Sequence, residues 1–261
     1  MRPVVLPMKM TIDVSGETVE YVMAGSGSPA IVLVNGTGGP VDAWFKIFAA
    51  LAGEHCSFAH NRPGIGASSK PLRAQTADEM VEALRDVLEA AGVPRPYVLV
   101  GHSFGGLVVN LFARLYPEEV GAVVLLEATS PDDLRVLPRH ESMLQRGLKA
   151  LGERLMPAHP LAETRHVDQT LAELEAAPPF PPIPLYVVTG ESHPLRWATP
   201  AAQREARARH QKDLVKLSPL GKQVMAKESG HFPQFSEPEL VRSVISEAAK
   251  MAWRDDRAGQ A

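Results

Sequence analysis

Tyr97-Val98-Leu99-Val100-Gly101-His102-Ser103-Phe104-Gly105 is the stretch that decides how this chain is read. Residues 97–100 are continuously apolar, the mark of a short strand covered on both faces in a parallel sheet. Residues 104–116 follow with helical spacing, and Pro117 closes them. Ser103 therefore sits on a sharp strand-to-helix turn. The backbone of such a turn is strained, and small residues two before and two after the serine, here Gly101 and Gly105, are what it needs to avoid clashes. The hydroxyl would stand exposed at the positive end of the helix, where it could act as a nucleophile; the plainer alternative is a glycine-flanked serine that caps the helix.

Working outward, the same alternation recurs on both sides. Residues 9–14 and 18–23 flank Ser15-Gly16-Glu17 and predict a hairpin. Residues 30–34 and 56–60 predict strands, with a helix over 41–51 between them. Thr76 with Glu79 three residues on predicts a capping box opening a helix, on which Met80, Leu84, Val87, Leu88 and Ala91 form the apolar stripe. Residues 122–126, 185–188 and 222–227 are further strands, 200–217 reads as a charged surface helix, and a last helix starts at Ser236, Pro238 and Glu239, with a frayed tail from Trp253. Between 130 and 184 the alternation stops. One amphipathic pattern there contains Met143, Leu144, Leu148, Leu151 and Leu155, a second lies near 170–175, and a proline-rich stretch at 178–184 ends the insertion. The expected fold class is α/β: a doubly wound, mostly parallel sheet built from 1–129 and 185–261, carrying a small helical cap insertion over 130–184.

Composition narrows the function. With 261 residues, 45% of them hydrophobic, the chain can bury one large core. Lys+Arg 27 against Asp+Glu 30 leaves a net charge of -3, so there is no basic field for nucleic acid or an anionic membrane surface. No apolar run approaches the roughly 18 residues of a membrane span, and residues 1–10 hold no apolar stretch ahead of a cleavage site, so a cytoplasmic protein is expected. The single cysteine, Cys56, excludes a disulfide framework and a Cys-rich metal cluster, and it reads as a buried thiol. No His/Asp/Glu spacing suggests a metal, and no cofactor is expected. Gly64 and Gly66 resemble half of a dinucleotide fingerprint but do not open a helix.

The nucleophile turn resembles that of the α/β-hydrolase superfamily, and three other segments match in order. Val34-Asn35-Gly36-Thr37-Gly38-Gly39 stands where the family has the His-Gly loop that supplies an oxyanion-hole donor. Asn61-Arg62-Pro63-Gly64-Ile65-Gly66-Ala67-Ser68 is similar to its Asp-Arg-x-Gly-x-Gly-x-Ser turn, with Asn61 in place of the acid, and Arg62 is expected to tie that turn through carbonyls and a carboxylate. Gly230-His231-Phe232 follows the last strand, where the family keeps its base, and the insertion resembles its cap. The resemblance implies Ser103 as nucleophile, His231 as base, and the Phe104 and Thr37 N–H groups as oxyanion hole. Among nine histidines only His231 combines a strand end, a preceding glycine and a place near the C-terminus. His102 is expected as a packed or hydrogen-bonded neighbour of the nucleophile.

The family's acid normally follows the seventh strand, but that turn reads Gly190-Glu191-Ser192-His193. Glu127, which closes the apolar strand 122–126, is the first choice instead, because a carboxylate ending a buried strand is costly without a partner; Glu191, Asp132, Asp133 or no acid at all remain open. Asn35, Gly36, His102, Met143, Leu144, Leu148 and Phe180 are candidates for contact with substrate. The expected activity is that of a carboxylesterase-type serine hydrolase cleaving a small or medium, largely apolar ester, whose partner is that small molecule. Thioester, lactone and carbon–carbon bond hydrolysis share the same chemistry. A non-hydrolytic relative, a hydroxynitrile lyase or a ligand receptor, is the alternative from another class.

Overall fold

The computed structural model describes residues 6–136, 158–192 and 200–258. Eight strands make one sheet: β1 (Met10–Val14), β2 (Glu17–Ala24), β3 (Ala30–Val34), β4 (Ser57–His60), β5 (Tyr97–His102), β6 (Val120–Leu126), β7 (Leu185–Gly190) and β8 (Gly221–Ala226). Their order is β1-β2-β4-β3-β5-β6-β7-β8, antiparallel at the β1–β2 and β2–β4 pairings and parallel from β4 to β8. The described helices are α1 (Phe48–Ala52), α2 (Ala77–Ala90), α3 (Gly105–Leu115), α4 (Pro131–Val136), α5 (Val167–Ala176), α6 (Ala201–Val215), α7 (Pro233–Ser236) and α8 (Pro238–Ala258). The hairpin turn has positive φ at both Ser15 (52°) and Gly16 (84°), a backbone whose twist matches the strands it joins.

Successive residues of each inner strand face opposite sides, and each side is buried. Val32, Leu99, Val123 and Val187 pack under α2 and α3 against Met80, Leu84, Leu107 and Phe112. Ile31, Val98, Val100 and Val124 pack on the other side against Trp44, Phe48, Val241 and Ile245. Each fully buried side chain of this size contributes ~1.5–3 kcal/mol, and the two layers together hold the sheet at its centre. Among the described residues, no helix is long and apolar enough to cross a membrane.

Three local expectations change. The predicted helix over 41–51 is a 3-10 turn at Val41–Trp44 followed by the short α1. Its buried residues, Val41, Trp44 and Ile47, recur every third position, and Ala43, Phe45 and Ile47 donate to carbonyls three residues back. The capping box of α2 forms by half. Thr76 Oγ1 accepts the Glu79 N–H, but the Glu79 carboxylate turns to Arg73 Nε at 3.0 Å. The insertion supplies the missing partners: Thr170 Oγ1 accepts from the Ala77 N–H and Glu173 Oε2 from the Asp78 N–H, so α5 is stitched to the first turn of α2. Finally, α8 continues past Trp253 to Ala258, and Ser236, whose hydroxyl bonds to Ser229 and the Phe232 carbonyl, does not cap it.

Candidate active site

Strand register brings the candidate residues together. Val34 pairs with Gly101, and His102 with Leu126, so the residues that follow β3, β5 and β6 (Asn35, Ser103 and Glu127) emerge side by side at one end of the sheet. Ser103 has φ of +52°, a left-handed conformation rare for a residue with a side chain, and it is half-buried. The glycines explain how the turn fits. A Cβ on Gly105 would lie 2.4 Å from the Val34 carbonyl oxygen, and one on Gly101 would lie 2.6 Å from Val109 Cγ2. The turn is pinned by Ser103 N–H donating to the Leu126 carbonyl and Thr129 N–H to that of Ser103.

His231 Nε2 is 3.0 Å from Ser103 Oγ. With its proton on Nδ1 the ring can accept the serine hydroxyl, and Nδ1 then faces Glu127 Oε2 at 3.7 Å. The histidine is held from behind. His102 Nε2 donates to the His231 carbonyl at 2.7 Å, and a Cβ on Gly190 would fall 2.4 Å from the Gly230 carbonyl oxygen, so the end of β7 presses directly on the His231 loop. Glu237 anchors the same loop by accepting from the Glu228 N–H and Ser229 Oγ.

Glu127 is buried at 6% exposure and also has positive φ, +42°. Its Oε1 accepts the Gly190 N–H at 2.7 Å; its Oε2 accepts Arg207 Nη2 at 3.0 Å and Nε at 3.3 Å. Burial pushes this carboxyl up, yet the His231 imidazole, the Arg207 guanidinium and the Gly190 N–H together hold it below the usual range, so it is a carboxylate at neutral pH. The other acids considered stand elsewhere. Glu191 is exposed, Asp132 pairs with Arg135, and Asp133 is buried against Arg207 and His210.

The loop after β3 lies against Ser103: a Cβ on Gly36 would be 2.9 Å from Ser103 Cβ. Arg62, 5% exposed, fixes that loop by donating to the Asn35 and Gly36 carbonyls, both at 2.7 Å. The carboxylate expected for Arg62 comes from the insertion: Glu163 accepts from Arg62 Nε and Nη2 and also from the Gly38 N–H at 3.2 Å. Among the described residues, neither the Thr37 nor the Phe104 N–H has an acceptor. Beside Thr37 and Gly38 opens a cavity of about 280 Å³, walled by Pro63, Ile65, Pro71 and Ala162 together with Arg62, Gln75, His159 and Glu163; Ser103, Phe104 and His231 are not on its wall.

Several candidate contacts are not on that wall. His102 is 4% exposed, packed edge-on to Trp44, and serves the His231 backbone instead of substrate. Burial pushes it down to about 4, so it is neutral and can donate from only one nitrogen. Phe180 is buried in the apolar layer with Leu174 and Leu185, since the proline-rich segment turns it into the core. The Asn35 side chain is buried beneath Gly39, and Gly36 contributes closeness and a carbonyl. Met143, Leu144 and Leu148 lie outside the described residues. Two residues of the site were not foreseen, Arg207 and Glu163. The helix expected to be a charged surface element is half-turned inward: His210 and Gln211 are buried beside Arg207, and Gln211 Nε2 donates to the Ala128 carbonyl.

The model for the α/β hydrolase fold family matches residues 29–198. The chain is 28% identical to YqjL of Bacillus subtilis over 221 residues, 85% of this chain and 83% of that one. It is 28% identical over 152 residues to human 1-acylglycerol-3-phosphate O-acyltransferase ABHD5, 57% of this chain but only 43% of ABHD5. In structure it is similar to Cfl2 from Burkholderia cenocepacia, with a TM-score of 0.71 at 20% identity, covering 95% of this chain and 98% of that one.

Proposed function

The chain belongs to the α/β-hydrolase fold family, and on that premise we propose that it is a serine hydrolase of carboxylesterase type, acting on a small or medium, largely apolar ester. Ser103 attacks the ester carbonyl while His231 takes its proton. The oxyanion is received by the Phe104 and Thr37 N–H groups, and Glu127 steadies the imidazolium. His231 then protonates the departing alcohol, and water repeats the sequence on the acyl-enzyme. The reading rests above all on the 3.0 Å contact of Ser103 Oγ and His231 Nε2, made by residues 128 apart in sequence on a serine forced to positive φ. Pro63, Ile65, Pro71 and Ala162 in the wall of the cavity beside Thr37 favour an apolar substrate, next to the polar Arg62, Gln75, His159 and Glu163 that share that wall. The experiment is hydrolysis of nitrophenyl esters of graded acyl length by the wild type and by Ser103→Ala. Turnover that favours short or medium chains and disappears in the variant supports the reading; equal rates in both proteins refute it.

The likeness to an O-acyltransferase favours a second reading, in which an alcohol replaces water in the second step. The first half of the reaction is unchanged. Adding glycerol or a lysolipid to the nitrophenyl ester assay separates the two: an acylated acceptor at the expense of free acid marks transfer, and free acid alone marks hydrolysis.

A further inference from the structure

Glu127 has two claimants for one oxygen. Oε1 is taken by the Gly190 N–H, and Oε2, the oxygen facing His231 Nδ1 at 3.7 Å, accepts both Nη2 and Nε of Arg207. The same guanidinium reaches the Glu127 carbonyl at 2.9 Å and Asp133 Oδ2 at 3.1 Å. Asp133 in turn is held by the Ser130 N–H and by His210 Nδ1 at 2.7 Å. Arg207 is therefore clamped by two buried carboxylates and a carbonyl, 22% exposed, at the back of the proposed acid.

We propose that Arg207 is a positioning residue of this site: by sharing the Glu127 oxygen that His231 needs, it holds the acid in place and weakens the grip of the Glu127–His231 pair on its proton. The inference rests on the reading of Ser103, His231 and Glu127 as one unit. Its sign does not depend on which partner carries the proton. A proton on His231 places a cation near the Arg207 cation, and a proton on Glu127 removes the charge that Arg207 stabilises; Arg207 opposes both. Among the described residues, the other charged or titratable groups around the pair are His102 at the end of β5, Asp133 on α4, His210 on α6, and Glu228 and Glu237 beside the His231 loop. His102 is neutral, and Asp133 pairs with Arg207 and is hydrogen-bonded to His210 Nδ1. Arg207 thus fixes Glu127 in place while its shared oxygen stays 3.7 Å from the His231 ring.

The test is an NMR titration of the His231 ring protons, assigned with His231→Gln, in the wild type, Arg207→Met and Arg207→Lys, with thermal melts confirming that each is folded. Arg207→Met should raise the His231 midpoint by about one pH unit and move the acidic limb of kcat/KM with it, while Arg207→Lys, which keeps the charge, should leave both near wild type. An unmoved midpoint in Arg207→Met overturns the proposal, as does an equal shift in both variants. If Arg207→Met does not fold, the wild-type and Arg207→Lys pair is read with Arg207→Gln, on the same criteria. Because the titration needs no turnover, a wild type that fails to hydrolyse esters counts against the functional reading alone.

Discussion

At the residue scale the account stands on three side chains acting through one proton. Ser103→Ala should abolish turnover without loss of fold, since it removes only a hydroxyl, and His231→Ala should cost about as much. The double variant should be little worse than either single one, because a nucleophile and its base act as a unit; kcat/KM for all three proteins checks this. Glu127→Gln should lower kcat at least about a hundredfold with little change in KM, whereas Glu191→Gln, exposed and away from the ring, should stay within about threefold. A reversed ranking would return the acid to the end of β7. The meeting of Ser103 and His231 was legible in sequence because Ser103 sits at a strand end between Gly101 and Gly105, and His231 follows Gly230 after the last strand, both local patterns. Glu127 was legible by its cost: a carboxylate that closes five apolar residues has to be paired. What it is paired with was not legible, because Arg207 lies 80 residues away on a helix without an apolar stripe.

Elements explain why the site has the shape it has. The parallel strands appeared in sequence as short apolar runs, since both faces are covered, and their register then fixed which loops meet. The helix over 41–51 was misread because buried positions three apart suit a 3-10 turn as well as the start of an α-helix. Phe180 was misassigned for a related reason: an apolar residue in an insertion can as easily face the core as a substrate. The Ser103 turn itself makes a sharp prediction. Gly105→Ala would push a methyl group into the Val34 and Asn35 carbonyls at 2.4 and 2.5 Å, neither of which can rotate away. It should cost at least about 2 kcal/mol in urea unfolding and reduce activity further than its stability loss accounts for. The Glu163 clamp belongs to the same scale. Glu163→Gln leaves the Arg62 guanidinium buried without its carboxylate, so the loop carrying the Thr37 N–H should loosen and kcat should fall by about tenfold, read from steady-state kinetics alongside a circular dichroism check of fold.

For the whole molecule, two of the buried histidines, His60 and His102, contribute to the response to acid. Burial lowers His102 to about 4 and His60, aided by the Arg62 cation, to about 3, against about 6.5 in the unfolded chain. A histidine with a lowered folded-state value binds its proton in the unfolded state first, so stability is full above about pH 6.5 and falls as pH drops toward 4, by ~2 kcal/mol per histidine at pH 5. Chemical unfolding at pH 7 and pH 5 should show this, and His60→Gln should about halve the difference. Glu127 adds to the loss at lower pH, where its carboxylate is finally protonated. The central claim, that strand register and a strained turn have made Ser103 a nucleophile served by His231, has a direct test in intact-protein mass spectrometry after brief incubation with a fluorophosphonate. The account predicts stoichiometric addition of one phosphonyl group, mapped to Ser103, slowed severely in His231→Ala and absent in Ser103→Ala. A wild-type protein left unlabelled, or labelled elsewhere than Ser103, would contradict it.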